Sequence, residues 1–426
     1  MTSSIRIKLS LMMFLEFFVW GSWFVTLGTF LGNNLSASGT QLAAAFSTQS
    51  FGAIIAPFII GLIADRYFNA EKILGVLHLA GAGLMFMMFQ SDSFTGFYPY
   101  VFLYMLIYMP TLALVNSVSF NQMKDPAKEF STIRVWGTIG WISAGLLISY
   151  FFLWDSPAAI GAGMLRNTFL MSSISSLVLG VFCFGLPKTP PKAGIASSRS
   201  LSEILGLDAL TLLKNRDFAI FFISSVLICI PLAFYYQNAN PFLSEVGLPN
   251  PTGMMTIGQV SEVLFLLAMP FFFRKFGLKT TLIVGMLAWV VRYVFFAFGD
   301  AGSGTYLLII GIALHGICYD FFFVSGQIYT DSKAGERYKS SAQGLITLAT
   351  YGIGMLIGFW IAGLVSDAYN YADGHDWKYI WLIPSGIALG VTVLFILFFK
   401  DRDFEKANAD RKAEKNIEIK NKLSTG

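Results

Sequence analysis

Glu262 stands in an apolar, glycine-punctuated stretch, Gly258-Gln259-Val260-Ser261-Glu262-Val263-Leu264-Phe265-Leu266, with no basic residue within eleven positions on either side. A charge in hydrocarbon costs about 2.5 kcal/mol or more, so a lone carboxylate there marks a functional site by default. Glu16, Arg134, Arg292 and Asp320 interrupt four other long apolar runs in the same way. Groups of this kind, facing away from lipid, can hydrogen-bond a polar solute or take up and release a proton. The usual enzymatic sets are missing. The three histidines, His78, His315 and His375, form no metal-spaced cluster, and no nucleophile motif lies beside a base. The charged positions therefore point to a transporter and not to an enzyme, with no metal site.

Composition explains what must carry these groups. Of 426 residues, 55% are hydrophobic and only 13% charged, and the mean hydropathy is +0.64, whereas a soluble domain has about 25% charged residues. The net charge of +4 is not gathered into one patch, which excludes a nucleic-acid partner. About 20 mainly apolar residues cross a bilayer, and that template predicts twelve spans, at 8–31, 41–64, 72–91, 97–122, 131–154, 166–186, 216–240, 253–274, 279–299, 304–329, 340–366 and 377–400. Arg134 and Arg292 lie inside spans, and Arg166 and Lys378 in odd-numbered connections. The remaining Lys and Arg residues lie in even-numbered connections and at the two ends, which predicts both termini in the cytoplasm. The first span is too long for a signal peptide, contains Glu16 and lacks a small-residue cleavage site, so it is expected to be retained. Cys183, Cys229 and Cys318 all fall within spans, so no disulfide framework is implied.

The connection 187–215, opening Pro187-Lys188-Thr189-Pro190-Pro191-Lys192, divides an N-terminal half (1–186) from a C-terminal half (216–400), with a charged tail over 401–426. A weak repeat supports the division. Gly140-Trp141-Ile142-Ser143-Ala144-Gly145 in the fifth span returns as Gly358-Phe359-Trp360-Ile361-Ala362-Gly363 in the eleventh, and small residues so spaced let helix backbones approach closely. The expected fold is an all-α membrane protein of twelve helices in two six-helix halves, the major facilitator architecture, with its site between the halves near the midplane. Gly61-Leu62-Ile63-Ala64-Asp65-Arg66 resembles the start of that superfamily's loop motif, making Asp65 and Arg66 candidate gate-loop residues. A solvated ion pair at a helix end fits the same residues.

Helical periodicity sorts the interior polar groups onto faces. Arg134, Thr138 and Trp141 share one side of the fifth span, offering a guanidinium, a hydroxyl and an aromatic plane. Gln259 and Glu262 share a face of the eighth. His315 and Tyr319 align in the tenth with Phe322 or Phe323, and Asp320 lies about 100° round from Tyr319. Glu16, Trp20 and Trp23 stack in the first span, and Tyr104, Tyr108 and Thr111 in the fourth. Structural alternatives stand beside these readings: Arg134 with Glu262, and Arg292 with Asp320, are each expected as a possible buried ion pair. His78 has no aligned polar partner and reads as a core histidine.

Arg134-Val135-Trp136-Gly137-Thr138-Ile139-Gly140, Gln259-Val260-Ser261-Glu262-Val263-Leu264-Phe265 and Tyr319-Asp320-Phe321-Phe322 resemble motifs of the nucleoside:proton symporters, a branch of the major facilitator superfamily. Trp20-Gly21-Ser22-Trp23, Met109-Pro110-Thr111-Leu112 and Ser341-Ala342-Gln343-Gly344 do so too, at similar spacing along the chain. The resemblance implies proton-coupled nucleoside uptake across the bilayer of a bacterial inner membrane, with no cofactor and the proton as coupling ion, and a fold that encloses its pathway within one chain is expected to work as a monomer. It implies that Arg134, Gln259 and Glu262 hydrogen-bond the nucleoside, with Thr138, Trp141, His315 and Tyr319 lining the pocket. Asp320 matches an acidic position of the family suited to proton coupling, and Glu16 is a second candidate carrier. The chain departs from the family pattern at His315, where a Tyr is usual, at Glu16, where an amide is usual, and in the seventh span. There Ala233 and Tyr236 take the places of a Gln and Asn pair, so the nucleobase stays open. An uncoupled facilitator, or a symporter for another sugar or polyol, fits the same composition.

Overall fold

The computed structural model describes residues 2–59, 68–191, 207–372 and 374–400. Asp65 and Arg66 and the 401–426 tail lie outside the described residues. The first predicted span is two helices, α1 (Ser3–Gly21) and α2 (Leu27–Asn34). It is followed by α3 (Gly39–Ile59), α4 (Ala70–Phe89) and α5 (Phe94–Asn121), then by α6 (Pro126–Leu146), which a π-helical turn extends over Leu147–Phe151. A short α7 (Pro157–Gly161) leads to α8 (Asn167–Cys183). Beyond the 187–215 connection come α9 (Arg216–Glu245) and α10 (Pro251–Phe298). Next are α11 (Thr305–Ala313) and α12 (His315–Tyr319), a π-helical turn over Asp320–Val324, and α13 (Ser325–Thr347). A third π-helical stretch over Leu348–Gly354, α14 (Met355–Ala368) and α15 (Trp377–Phe398) complete the described residues. A hairpin absent from the sequence expectation joins α14 to α15, pairing Asn370 with His375 and Tyr371 with Gly374.

Eight helical stretches among the described residues are long and apolar enough to cross a membrane. One of them, α10, has 48 residues, or about 72 Å at 1.5 Å per residue, more than twice the roughly 30 Å of a hydrocarbon core. It covers two predicted spans, and the direction changes at Gly277, whose φ of 79° and ψ of 174° belong to a region open to glycine. Pro251 begins α10, where its missing N–H is not needed. The first predicted span breaks because residues 22–26 leave the helix; Ser22 caps α1 through its amide to the Phe18 carbonyl.

The glycines of the internal repeat sit at matching crossings. A Cβ on Gly140 would strike the Phe14 carbonyl of α1, and one on Gly358 would come within 2.6 Å of Ala233 Cβ on α9. Gly145 faces Thr256 of α10, and Gly363 faces the Gly39 carbonyl at the start of α3. The repeat thus serves backbone packing, with α6 against α1 and α10, and α14 against α9 and α3.

The last two of these contacts continue into hydrogen bonds that join helices α1–α8 to helices α9–α15. Asp367 at the end of α14 accepts the Gly39 N–H at 2.5 Å and the Thr40 N–H at 2.9 Å. Asp155, beyond α6, accepts the Thr252 N–H at 3.0 Å, and Ser149 Oγ accepts the Gly253 N–H at 2.6 Å. Each set satisfies free amides in the first turn of a helix, α3 or α10, with groups from the other set of helices. Thr29 of α2 adds a bond to Asn240 of α9 at 2.5 Å. All of these lie at the end bearing the odd-numbered connections.

Candidate functional site

Helices α10 and α12 meet closely, because Gly316 has no side chain: a Cβ there would stand 2.5 Å from the Ser261 carbonyl group. Ser261 Oγ accepts the Gly316 N–H at 2.8 Å. This approach brings His315 against Glu262, with Nε2 2.8 Å from Oε1. On its other side His315 Nδ1 lies 2.8 Å from Nη1 of Arg292. A guanidinium only donates, so Nδ1 is the acceptor, the ring proton sits on Nε2, and His315 donates to the Glu262 carboxylate. Arg292 is fully buried and lies flat over Tyr235, 3.7 Å from the ring centroid, a cation–π contact. Tyr235 in turn stacks on His315 at 5.0 Å.

The expected ion pairs are therefore not formed. Arg292 bonds His315 instead of Asp320, because Asp320 begins the π-helical turn and projects elsewhere; it is buried, and its Oδ2 has no hydrogen-bond partner. Arg134 stacks over Phe17 of α1 at 4.1 Å and forms no ion pair with Glu262. The Glu262 side chain keeps 26% of its surface exposed, so this carboxylate is held at one oxygen and open at the other.

Around it stand aromatic groups. Trp141 and Gln259 line a common cavity with Phe24, Tyr235, Tyr236 and Thr256. Trp20 packs edge-on against Trp141 and Tyr108, both at 5.5 Å. Tyr319 lies 5.9 Å from the His315 ring and 5.2 Å from Phe323, and its hydroxyl bonds that of Tyr351. Thr138 is part-buried on α6 and has no hydrogen-bond partner among the described residues. Asn240 and Asn238 are used between helices, bonding Thr29 and Ser366.

Glu16 does not join this group. It is fully buried in a separate cluster, with Oε2 2.7 Å from His78 Nε2 and Oε1 2.5 Å from Thr111 Oγ1. The stacked faces of the first and fourth spans thus meet each other here. His78 is buried, as a core histidine should be, and its polar partner comes from another helix, which spacing along one span does not reveal. Tyr351 was also missed, since it lies in the π-helical stretch over Leu348–Gly354, where a 3.6-residue period misplaces every face. The Tyr235-Tyr236 pair in the sequence was the available signal for Tyr235.

A family model described as Nucleoside H+ symporter matches residues 3–404. YegT of Escherichia coli (strain K12), provisionally named a nucleoside transporter, is 42% identical over 409 residues, spanning 93% of this chain and 94% of its own. Xanthosine permease of the same organism is 34% identical over 419 residues, spanning 95% and 98%. The crystal structure of nucleoside transporter NupG superposes with a TM-score of 0.84 at 30% identity, over 93% of this chain and all of that one. The chain belongs to the nucleoside H+ symporter family.

Proposed function

We propose that this protein carries a nucleoside inward across a bacterial inner membrane together with protons, by alternating access. Twelve crossings in two six-helix halves, 1–186 and 216–400, joined by the 187–215 linker, give the major facilitator architecture, with both termini cytoplasmic and one chain as the transport unit. The observation that carries the reading is the Glu262 carboxylate, fixed at one oxygen by the His315–Arg292 chain and left open at the other. A carboxylate so held is an acceptor for a ribose hydroxyl, and Arg134 and Gln259 supply donors for the neighbouring oxygens. Trp141 and Tyr319 offer ring faces to the base, with Thr138 and His315 completing the wall.

The helix-capping bonds at Asp367 and Asp155 close the outer end, so the halves must rock apart there to admit substrate. Asp320, buried with an orphaned oxygen, is a proton carrier. A carboxyl without a partner is costly as an anion in the bilayer interior, and only a change of proton occupancy between the two states links transport to the gradient. The test is uptake of radiolabelled uridine, adenosine and xanthosine into vesicles containing the protein, with and without an inward proton gradient. Gradient-driven accumulation of at least one supports symport. Uptake that equilibrates without concentrating would leave a facilitator.

A further inference from the structure

His78 and Glu16 form a buried acid–base pair that the nucleoside cavity does not use. Both side chains are at most 1% exposed, and His78 is the only group that forms an ion pair with Glu16 among the described residues. A carboxylate sealed away from water needs a neutralising partner, or the desolvation cost stays uncompensated. The ionisable groups near Glu16 are Tyr104 and Tyr108 on α5 and Cys183 on α8, with Glu71 on α4 near Cys183 and Arg134 on α6 near Tyr108. Of these only Arg134 is cationic, and it is stacked on Phe17.

The hydroxyl beside the pair accommodates either proton count. Ser176 Oγ lies 2.9 Å from the His78 carbonyl and 3.1 Å from His78 Nδ1. That hydroxyl can turn either way, donating to Nδ1 of a neutral imidazole or to the carbonyl when Nδ1 itself carries a hydrogen, so the site is satisfied with or without an extra proton. With a hydrogen on Nδ1, the one between Nε2 and Glu16 Oε2, 2.7 Å apart, is a second on the same imidazole–carboxyl unit. Whether it sits nearer nitrogen or oxygen, the pair holds one proton more than a neutral imidazole facing a bare carboxylate, and its net charge is zero.

A chain of aromatic rings connects the site to the cavity. Tyr108 donates to the Glu16 carbonyl at 2.9 Å, its ring lies 6.2 Å from His78 and 5.5 Å from Trp20, and Trp20 touches the cavity-lining Trp141. We propose that Glu16 and His78 together are a proton-binding site separate from Asp320, so that two protons enter with each nucleoside. The proton arrives from the outer water and is shared between Oε2 and Nε2. It leaves to the inner water, restoring a carboxylate facing a neutral imidazole.

The inference rests on the symport reading, and the experiment separates the two. Steady-state accumulation of uridine or adenosine is measured in vesicles at several pH differences with the membrane potential clamped at zero. Each coupled proton multiplies the limiting ratio about tenfold per pH unit, so the logarithm of the ratio against the pH difference has a slope of two. His78→Gln keeps a hydrogen-bond donor for Glu16 but cannot hold the extra proton, and lowers the slope to one. A slope of one in the unsubstituted protein overturns the second site while symport stands, and a slope of zero removes symport itself. A slope of two in both proteins overturns the assignment to His78. Should His78→Gln not fold, nitrogen-15 spectra of the unsubstituted protein decide, since it has only three histidines. As the pH falls His78 must gain a hydrogen on Nδ1 while His315 keeps one hydrogen, on Nε2; an Nδ1 of His78 that never gains one refutes the proposal.

Discussion

Replacing Asp367 with Asn removes half of the capping at the start of α3, and the structure sets the size of the effect. Both carboxylate oxygens accept first-turn amides, from Gly39 and Thr40. Such charge-assisted bonds contribute about 1.5–3 kcal/mol each, and a negative charge at a helix N-terminus adds about 0.3–1 kcal/mol. Asn retains one acceptor oxygen but turns its NH2 toward the other amide, so one bond and the charge are lost. Allowing for water filling the gap, the closed arrangement of that end should weaken by about 2 kcal/mol, roughly a 30-fold change in the closed-to-open ratio. The native cysteines, Cys183, Cys229 and Cys318, are all buried, which leaves spin labels at Gly32→Cys and Tyr371→Cys to report on the opening. Pulsed electron resonance in Asp367→Asn should show a longer-distance population that the parent lacks or barely holds. Asp155→Asn, which disturbs the matching cap on α10, should act in the same direction. Distance distributions unchanged in both variants would refute the assignment of these caps as the outer closure.

Two further outcomes follow from the site. Glu262→Gln keeps the shape but not the charge that accepts ribose hydroxyls, so nucleoside affinity should fall by roughly 10- to 100-fold, as expected for a lost charge-assisted bond of about 1.5–3 kcal/mol; equilibrium binding by scintillation proximity checks it, and near-native affinity would return Glu262 to a packing role. Asp320→Asn cannot change its proton occupancy, so uphill accumulation should be lost while nucleoside exchange between vesicle and medium continues; undiminished accumulation would remove Asp320 from coupling.

How much of this was legible in the sequence depended on whether a feature lives within one helix or between two. The glycine repeat was readable because a crossing helix needs small residues at fixed spacing, and Gly140, Gly145, Gly358 and Gly363 do meet neighbouring backbones or side chains. The Glu16 face and the Tyr104–Thr111 face were both visible, yet nothing in either spacing said that they meet. For the same reason the partner of His78 went unseen and Arg292 read as a partner for Asp320. The π-helical turns at Asp320–Val324 and Leu348–Gly354 shift side chains off the faces that an α-helical period assigns, which hid Tyr351. Arg274, Lys275 and Lys279 flank Gly277 in the sequence, so the spans at 253–274 and 279–299 were legible as two, and the structure turns between them at that glycine.

The central claim, that nucleoside and proton cross together, is tested most directly by the proton itself. In lightly buffered vesicles enclosing a pH-sensitive dye, adding uridine, adenosine or xanthosine to the outside, with no gradient imposed, should acidify the lumen as the nucleoside enters. Nucleoside entry with the lumen pH unmoved would contradict the account.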